Sequence, residues 1–212
     1  MKKQSTGKII NRDVTTESRR NVMAYFSLLF VAMLSLSACT SGNKQGDEGQ
    51  AETEEQQEGQ NEKRTAKAEM KPCSDSQAKG EATFTEENGA VLFELTVENL
   101  TPGEHGIHLH EKGDCSAEDG SSAGGHWNPA MTPHGKRGDG TAFHRGDIAN
   151  MSVGDDGKGT LSLSISDWTI GGPDSTNVIG KSVIVHASPD DFTSQPSGNA
   201  GARVSCGEIK AD

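Results

Sequence analysis

The chain has 212 residues, with 20 Lys and Arg against 31 Asp and Glu, for a formal net charge of −11. A net anion is not attracted to nucleic acid or to an anionic membrane surface, so the charge argues against both as partners. The sequence contains a single uncharged apolar run, which excludes a polytopic membrane protein.

Residues 1–38 have the pattern of an export signal. Six basic residues within positions 1–21 precede the uncharged run Val22–Ala38, the order of a basic and then an apolar region in a signal peptide. The run ends Leu36-Ser37-Ala38-Cys39, which resembles a bacterial lipoprotein cleavage site. That resemblance implies a lipid on Cys39, an anchor in a bacterial envelope membrane, and a chain that faces the periplasm or the cell surface. A plain signal peptide or a signal anchor is the alternative.

Residues 39–70 are interpreted as the lipidated Cys39 followed by a disordered acidic linker. Positions 40–70 contain no Ile, Leu, Val, Phe, Tyr or Trp. Such a stretch does not bury enough apolar surface to offset the entropy lost on ordering. The remaining residues, 71–212, are predicted to form one folded domain.

Apolar and polar residues alternate along this domain, and no helical periodicity is present. Six segments alternate clearly between Gly, Pro, Asn or Asp residues: Gly80–Thr85, Val91–Glu98, Gly106–Glu111, Thr160–Ile165, Lys181–Ala187 and Ala202–Ile209. Two weaker segments, Ala66–Cys73 and Phe143–Ala149, are also interpreted as strands. The pattern predicts an all-β sandwich or barrel with two long loops, about 112–142 and 188–201, whose length and Gly, Pro and His content indicate function.

All seven histidines lie in the predicted domain. His108 and His110 are two positions apart on one strand, so both imidazoles leave the same face. This spacing offers two nitrogen ligands to one metal ion, and His186 on another strand can reach the same ion. Taken alone, each of these residues would be interpreted as an ordinary surface or loop histidine. Imidazole and carboxylate ligands together suit Zn²⁺, and the remaining candidates are His126, His134, His144 and Asp147.

The motifs GEHGIHLHEKGDC, GGHWNP, HRGD, IGKSVIVHASPDD and GNAGARVSCGEI follow one another along the chain. In this order they resemble the copper/zinc superoxide dismutase family over nearly all of residues 66–212. The resemblance implies a flattened, eight-stranded Greek-key β-barrel or sandwich, immunoglobulin-like, with two long functional loops. It also implies an enzyme that disproportionates superoxide to dioxygen and hydrogen peroxide outside the cytoplasm. Its copper would alternate between Cu(II) and Cu(I), with Zn(II) as the second cofactor.

The resemblance also implies a role for individual residues. The implied copper ligands are His108, His110, His126 and His186, and the implied zinc ligands are His126, His134, His144 and Asp147. Arg203 corresponds to the arginine that holds the superoxide anion, and Asp190 to the carboxylate that joins the outer nitrogens of His108 and His134. Cys115 and Cys206 occupy the positions of the family's disulfide, which leaves Cys73 without a role.

A second hypothesis keeps the same scaffold for a non-catalytic lipoprotein that stores or delivers copper or zinc. Arg203 and the shared position of His126 distinguish the two, because a store needs neither. The loop 188–201 contains no basic residue, so guidance of superoxide would depend on Arg203, with Lys112, Lys136 or Arg137 as further candidates. The sequence leaves a homodimer open.

Overall fold

The computed structural model describes residues 62–212. The predicted export signal, Cys39 and the predicted linker up to position 61 lie outside the described residues. Between residues 62 and 212, no helix has the length and apolar character needed to cross a membrane.

The described residues form an antiparallel β-barrel. Its strands are β1 Arg64–Pro72, β2 Lys79–Glu87, β3 Ala90–Glu98, β4 Gly103–His110, β5 Asp147–Val153, β6 Gly159–Ile165, β7 Ser182–His186, β8 Arg203–Glu208 and β9 Lys210–Ala211. Neighbouring strands follow the order β2-β3-β6-β5-β4-β7-β8-β1, and β1 pairs in turn with β2, which closes eight strands into a barrel. The two-residue β9 extends the sheet beside β1. The predicted all-β, eight-stranded architecture is confirmed.

The folded domain begins earlier than position 71. Residues 64–70 lie on the linker side of the predicted boundary, although a weak strand was predicted at Ala66–Cys73. They form most of β1 and pair with β2 from Arg64 opposite Glu86 to Met70 opposite Gly80. Ala66, Ala68 and Met70 alternate inward and are buried, whereas the charged side chains between them are exposed. Because this strand fills its share of the core with alanines and a methionine, it lacks the large aliphatic residues on which the boundary was predicted.

The prediction of a strand at Phe143–Ala149 is wrong in position, since β5 runs from Asp147 to Val153. Its inward residues Met151 and Val153 are buried, but the neighbouring Asn150 and Ser152 weaken the apolar pattern. Two loops are as long as predicted, the β4–β5 loop (residues 111–146) and the β7–β8 loop (187–202). A third, the β6–β7 loop (166–181), was not anticipated.

Inward-facing side chains fill the barrel. Phe84 and Phe93 lie with ring centroids 5.1 Å apart, and Trp168 of the β6–β7 loop packs against both at 6.1 and 5.9 Å. On β4, Ile107 and Leu109 belong to this core. Because successive residues of a strand point to opposite faces, the same strand turns His108 and His110 outward, beneath the two long loops.

A smaller buried cluster joins the β4–β5 loop to the outside of the barrel. It comprises Cys73, Ala123, Ile184 and Cys206, with Cys115 packed against it. Cys115 and Cys206 form the predicted disulfide, with an S–S distance of 1.93 Å across a sequence separation of 91 residues. Cys73 is a buried free thiol, and burial raises the pKa of this thiol above its usual value. The disulfide fixes the start of the β4–β5 loop on β8.

Candidate metal centre

Strand pairing brings four histidines together on the outer face of the barrel. His108 and His110 leave β4, and His186 ends the neighbouring β7, which pairs with β4 over four residues. His126 of the β4–β5 loop lies beside them because it forms an isolated β-bridge with His110. All four are buried, and one nitrogen of each lies within 4.8 Å of the others. We call these residues, His108, His110, His126 and His186, the histidine cluster.

The convergent nitrogens of the histidine cluster are the ones without hydrogen bonds. Among residues 62–212, His108 Nδ1, His110 Nε2, His126 Nε2 and His186 Nε2 are buried without a hydrogen-bond partner. Burial of an unpaired polar atom costs free energy, and such atoms are rare in folded proteins. Four of them pointing at one another are the donor set of a metal ion, and four imidazoles suit Cu(II).

Backbone carbonyls hold two of these rings in place. His110 Nδ1 lies 2.9 Å from the Gly124 carbonyl oxygen, and His186 Nδ1 lies 3.2 Å from the Gly201 carbonyl oxygen. A carbonyl oxygen only accepts, so in each ring Nδ1 carries the hydrogen and Nε2 presents its lone pair. The two long loops that carry these carbonyls thus set the tautomers that metal binding requires.

A second group shares His126 with the first. Ligand atoms of His126, His134, His144 and Asp147 lie within 4.8 Å of one another, and all four residues are buried; we call them the aspartate cluster. Asp147 Oδ1 lies 2.9 Å from His126 Nδ1 and 3.3 Å from His144 Nδ1, and Oδ2 lies 3.0 Å from His134 Nδ1. His126 therefore presents Nε2 to the histidine cluster and Nδ1 to the aspartate cluster. Three imidazoles and one carboxylate suit Zn²⁺.

Burial and neighbouring carboxylates shift the pKa values of the clustered histidines in opposite directions. Burial, together with the neighbouring imidazoles, lowers the pKa of His186 to about 3. Burial likewise lowers the pKa of His126 to about 4 against the pull of Asp147. At His134 burial also opposes protonation, but hydrogen bonds to Asp147 and Asp190 raise the pKa to about 9. His126 and His186 are thus neutral imidazoles that can bind a cation, while the ionised carboxylate of Asp147 attracts one.

The buried Asp190 connects the two clusters from behind. Its Oδ2 lies 2.8 Å from His108 Nε2, and its Oδ1 lies 2.9 Å from His134 Nε2. Burial alone would raise the pKa of this carboxyl, but the hydrogen bonds from the two histidines hold it well below the usual value. Asp190 therefore occupies the position that the sequence resemblance implies.

Asn150 of β5, which sequence reasoning missed, holds Asp190. Its Nδ2 donates to the Asp190 carbonyl oxygen at 2.9 Å, and its Oδ1 accepts from the Asp190 N–H at 2.8 Å. The carboxamide thereby pairs with both backbone groups of Asp190. A single asparagine in a strand carries no sequence signal that names a partner 40 positions away.

A cleft of about 400 Å³ opens onto the histidine cluster. It is lined by His110, Gly125, His126, Asn128, His144, His186, Pro196, Ser197, Gly201 and Arg203. The half-buried Arg203 donates from Nη1 to the Gly120 carbonyl oxygen and from Nη2 to the Gly124 carbonyl oxygen, both at 2.6 Å. The carbonyl of Gly124 thus accepts from both Arg203 and His110, which fixes the guanidinium beside the cluster.

The other candidate basic residues do not line this cleft. Lys136 lies over the Phe192 ring, 5.3 Å from its centroid. Arg137 binds Asp167 at 2.6 Å and donates from Nε to the Asp147 carbonyl oxygen at 2.8 Å. Its charge is therefore compensated, and it holds the start of β5. Within the described part of the chain, Arg203 is the single basic side chain of the cleft lining.

Comparisons with known proteins agree with this geometry. The family model described as copper/zinc superoxide dismutase matches residues 78–209. The chain is 42% identical over 143 residues to a superoxide dismutase [Cu-Zn] of Caulobacter vibrioides, covering 65% of this chain and 82% of that protein. It is 34% identical over 145 residues to one of Deinococcus radiodurans, covering 62% and 77%. The crystal structure of the clock protein EA4 superposes with a TM-score of 0.60 at 34% identity, covering 68% of this chain and 92% of that one.

The chain belongs to the copper/zinc superoxide dismutase family. It is an enzyme that disproportionates superoxide to dioxygen and hydrogen peroxide, and its cofactors are copper and zinc. This supports the catalytic hypothesis over a non-catalytic metal store. The bacterial relatives and the disulfide, a bond that persists in oxidising compartments, also indicate an exported protein.

Proposed function

We propose that the histidine cluster binds copper and that the aspartate cluster binds zinc, with His126 shared between them. When bound, copper supplies the electron exchange with superoxide, and zinc supplies a fixed positive charge. The observation that carries this assignment is the convergence of four buried imidazole nitrogens without hydrogen bonds, one of them on a ring whose other nitrogen faces Asp147.

His126 is the proposed proton carrier of the reaction. It lines the cleft, and its Nε2 has no hydrogen-bond partner among the described residues. Nδ1 stays among the oxygens of the aspartate cluster, so the ring keeps its place while Nε2 takes up and gives back a proton. Reduction of the second superoxide to hydrogen peroxide takes up two protons, of which His126 Nε2 would give one and water the other.

Arg203 is proposed to hold the superoxide anion in the cleft. Its guanidinium carries five N–H donors and a permanent positive charge. Hydrogen bonds to the Gly120 and Gly124 carbonyls leave three of these donors for a ligand. Asp190 is proposed to keep His108 and His134 in the tautomers that leave Nδ1 free for the ions.

We further propose that the export signal 1–38 is removed and that a lipid on Cys39 anchors the chain to a bacterial envelope membrane. The Leu-Ser-Ala-Cys sequence supports this, as does the acidic segment that separates Cys39 from β1. The enzyme would then face the periplasm or the cell surface, where superoxide arrives from outside the cytoplasm.

The assignment is tested on the copper- and zinc-loaded chain with His126→Ala and Arg203→Ala. We expect His126→Ala to lose most of the activity and to change the copper absorption spectrum, whereas Arg203→Ala loses activity but retains both ions. Lys158→Ala is the control, because Lys158 is exposed and does not line the cleft. A His126→Ala protein with an unchanged spectrum would contradict the shared role of His126.

A further inference from the structure

A second loop holds His134 at three points. The His134 N–H donates to Gln195 Oε1 at 2.9 Å, and Gln195 Nε2 donates to the His134 carbonyl oxygen at 2.9 Å. The ring Nε2 of His134 lies 2.9 Å from Asp190 Oδ1. Gln195 and Asp190 both belong to the β7–β8 loop, whereas His134 belongs to the β4–β5 loop. The position of His134 therefore depends on a segment about 60 residues away in sequence.

The other members of the two clusters are held by strands or by hydrogen bonds close to them in sequence. Three histidines of the histidine cluster lie in β4 or β7, and His126 is bridged to His110. His144 and Asp147 exchange hydrogen bonds with each other. His134 lies between Pro133 and Gly135, and within residues 62–212 its N–H and C=O have no backbone partner. The carboxamide of Gln195 replaces that missing backbone support.

The segment that carries Gln195 is braced internally. Asp191 Oδ1 accepts from the backbone N–H groups of Thr193 and Ser194 at 2.9 and 2.8 Å. The Gly198 N–H donates to the Ser194 carbonyl at 2.7 Å, and the Asp191 N–H donates to the Gly198 carbonyl at 2.9 Å. Gln195 is thus fixed relative to Asp190, and the two side chains approach His134 as one unit.

We propose that Gln195 is a positioning residue for zinc binding. Its carboxamide fixes the backbone of His134 while Asp190 fixes the outer ring nitrogen, so that His134 Nδ1 points into the aspartate cluster. This inference rests on the proposed assignment of that cluster to zinc. The adjoining Pro196 and Ser197 line the cleft, so Gln195 also couples the zinc side to the substrate entrance.

Thermodynamic reciprocity gives this coupling a second consequence. If the β7–β8 loop in its ordered form favours zinc binding, bound zinc must favour the ordered loop to the same extent. The backbone amides of residues 191–195, 197 and 198, and the amide of His134 itself, are therefore expected to exchange hydrogen more slowly once zinc is bound. In a protein without the Gln195 carboxamide this protection should be reduced.

The test uses the full chain, stripped of metal, with Gln195→Met and Gln195→Ala. The side chain of Gln195 is exposed, so neither variant opens a cavity. Gln77→Met is the matched control, because Gln77 is also exposed and its carboxamide donates to the carbonyl of the adjacent Ser76. His134→Ala is the reference for the zinc assignment. Zinc and copper affinities are measured by competition with chromogenic chelators, and amide exchange is followed by mass spectrometry.

We expect both Gln195 variants to lower zinc affinity about 10-fold, the lower end of the usual cost of losing a residue that orients a metal ligand. Copper affinity should stay within twofold of the parent, and the amide of His134 should exchange faster. Zinc affinity within twofold of the parent, or an equal loss in Gln77→Met or in copper affinity, overturns the inference. If His134→Ala leaves zinc affinity unchanged, the zinc assignment itself has failed.

Discussion

At the scale of single residues, the metal centre depends on a glycine that nothing else can replace. Gly198 has a φ of +66°, and a Cβ there would lie 1.8 Å from Asp190 Oδ1 and 2.7 Å from His134 Nε2. A side chain at this position would displace the carboxylate that joins the two clusters. The close approach of the β7–β8 loop to the site therefore requires glycine for space as well as for backbone conformation.

We predict that Gly198→Ala destabilises the metal-free protein by about 1–3 kcal/mol, through left-handed strain and the displacement of Asp190. Gly138→Ala is the control, because Gly138 has a φ of +85° with open space around its Cβ position. Chemical denaturation measures both variants. An equal loss of unfolding free energy in the two would show that only the backbone conformation matters at Gly198.

The residues that present ligand atoms could be predicted from the sequence, and those that hold them could not. Alternation on β4 places His108 and His110 together, and the family motifs supply the other candidates. Asn150 and Gln195 were missed because each acts through an uncharged amide on the backbone of a residue 40 or 61 positions away. Hydrogen bonds of that kind follow from how the loops fold against the barrel and leave no periodic or charge pattern in the sequence.

At the scale of elements, the two long loops meet at His134. In the metal-free protein its protonated ring lies between the carboxylates of Asp147 and Asp190. Because the pKa of His134 is raised to about 9 in the folded protein, from 6.5, protonation stabilises the fold. This contribution is fully present below about pH 6.5 and is lost as the pH rises through 9. We predict that the midpoint temperature of thermal unfolding of the metal-free protein decreases as the pH is raised from 7 to about 9.

Zinc should abolish this dependence, because the cation replaces the proton between His134 and Asp147. Thermal unfolding of zinc-loaded and metal-free protein across the same pH range makes the comparison. Asp190→Asn, which removes one of the two carboxylates facing His134, should show a smaller decline. A midpoint that rises with pH in the metal-free protein would contradict the raised pKa.

Strand prediction was least exact at β1 and β5: the weak segment Ala66–Cys73 overlaps β1, whereas the segment Phe143–Ala149 begins too early for β5. β1 packs alanines and Met70 inward, and β5 places Asn150 and Ser152 between its buried residues. Neither strand is as rich in large aliphatic and aromatic residues as β3 or β7. Their partners in the closed barrel make both strands stable, and pairing of that kind is a tertiary property.

At the scale of the whole molecule, a chain of net charge −11 repels the superoxide anion, so a local positive charge has to attract it. Since Arg203 is the single basic residue lining the cleft in the described part of the chain, we predict that kcat/KM falls as ionic strength rises. Arg203→Ala should be slower by roughly 10-fold or more, and its kcat/KM should no longer fall as ionic strength rises. Pulse radiolysis measures both, with the exposed Lys158→Ala as control. A salt dependence that survives in Arg203→Ala would place the attraction elsewhere.

The disulfide contributes both to the free energy of unfolding and to the position of Arg203. It closes a separation of 91 residues, worth on the order of 4–5 kcal/mol in the chain-entropy account, and it fixes the loop whose Gly120 and Gly124 carbonyls hold Arg203. We predict that reduction lowers both the free energy of unfolding and the activity. Cys73→Ala is the control for the free thiol and should respond to reductant as the parent does. Unchanged denaturation curves after complete reduction would contradict this.

The direction of β1 separates the N-terminal end of the described chain from the cleft. The chain enters the barrel at Arg64, beside Ile170, and nine residues later reaches Cys73, next to Val204 and the loop that holds Arg203. At the usual rise of a strand this separates the point of entry from the catalytic end by about 25 Å. The N-terminal end of β1 and the cleft lined by Arg203 therefore lie at opposite ends of the barrel, so that whatever precedes Arg64 joins the barrel far from the opening that admits superoxide.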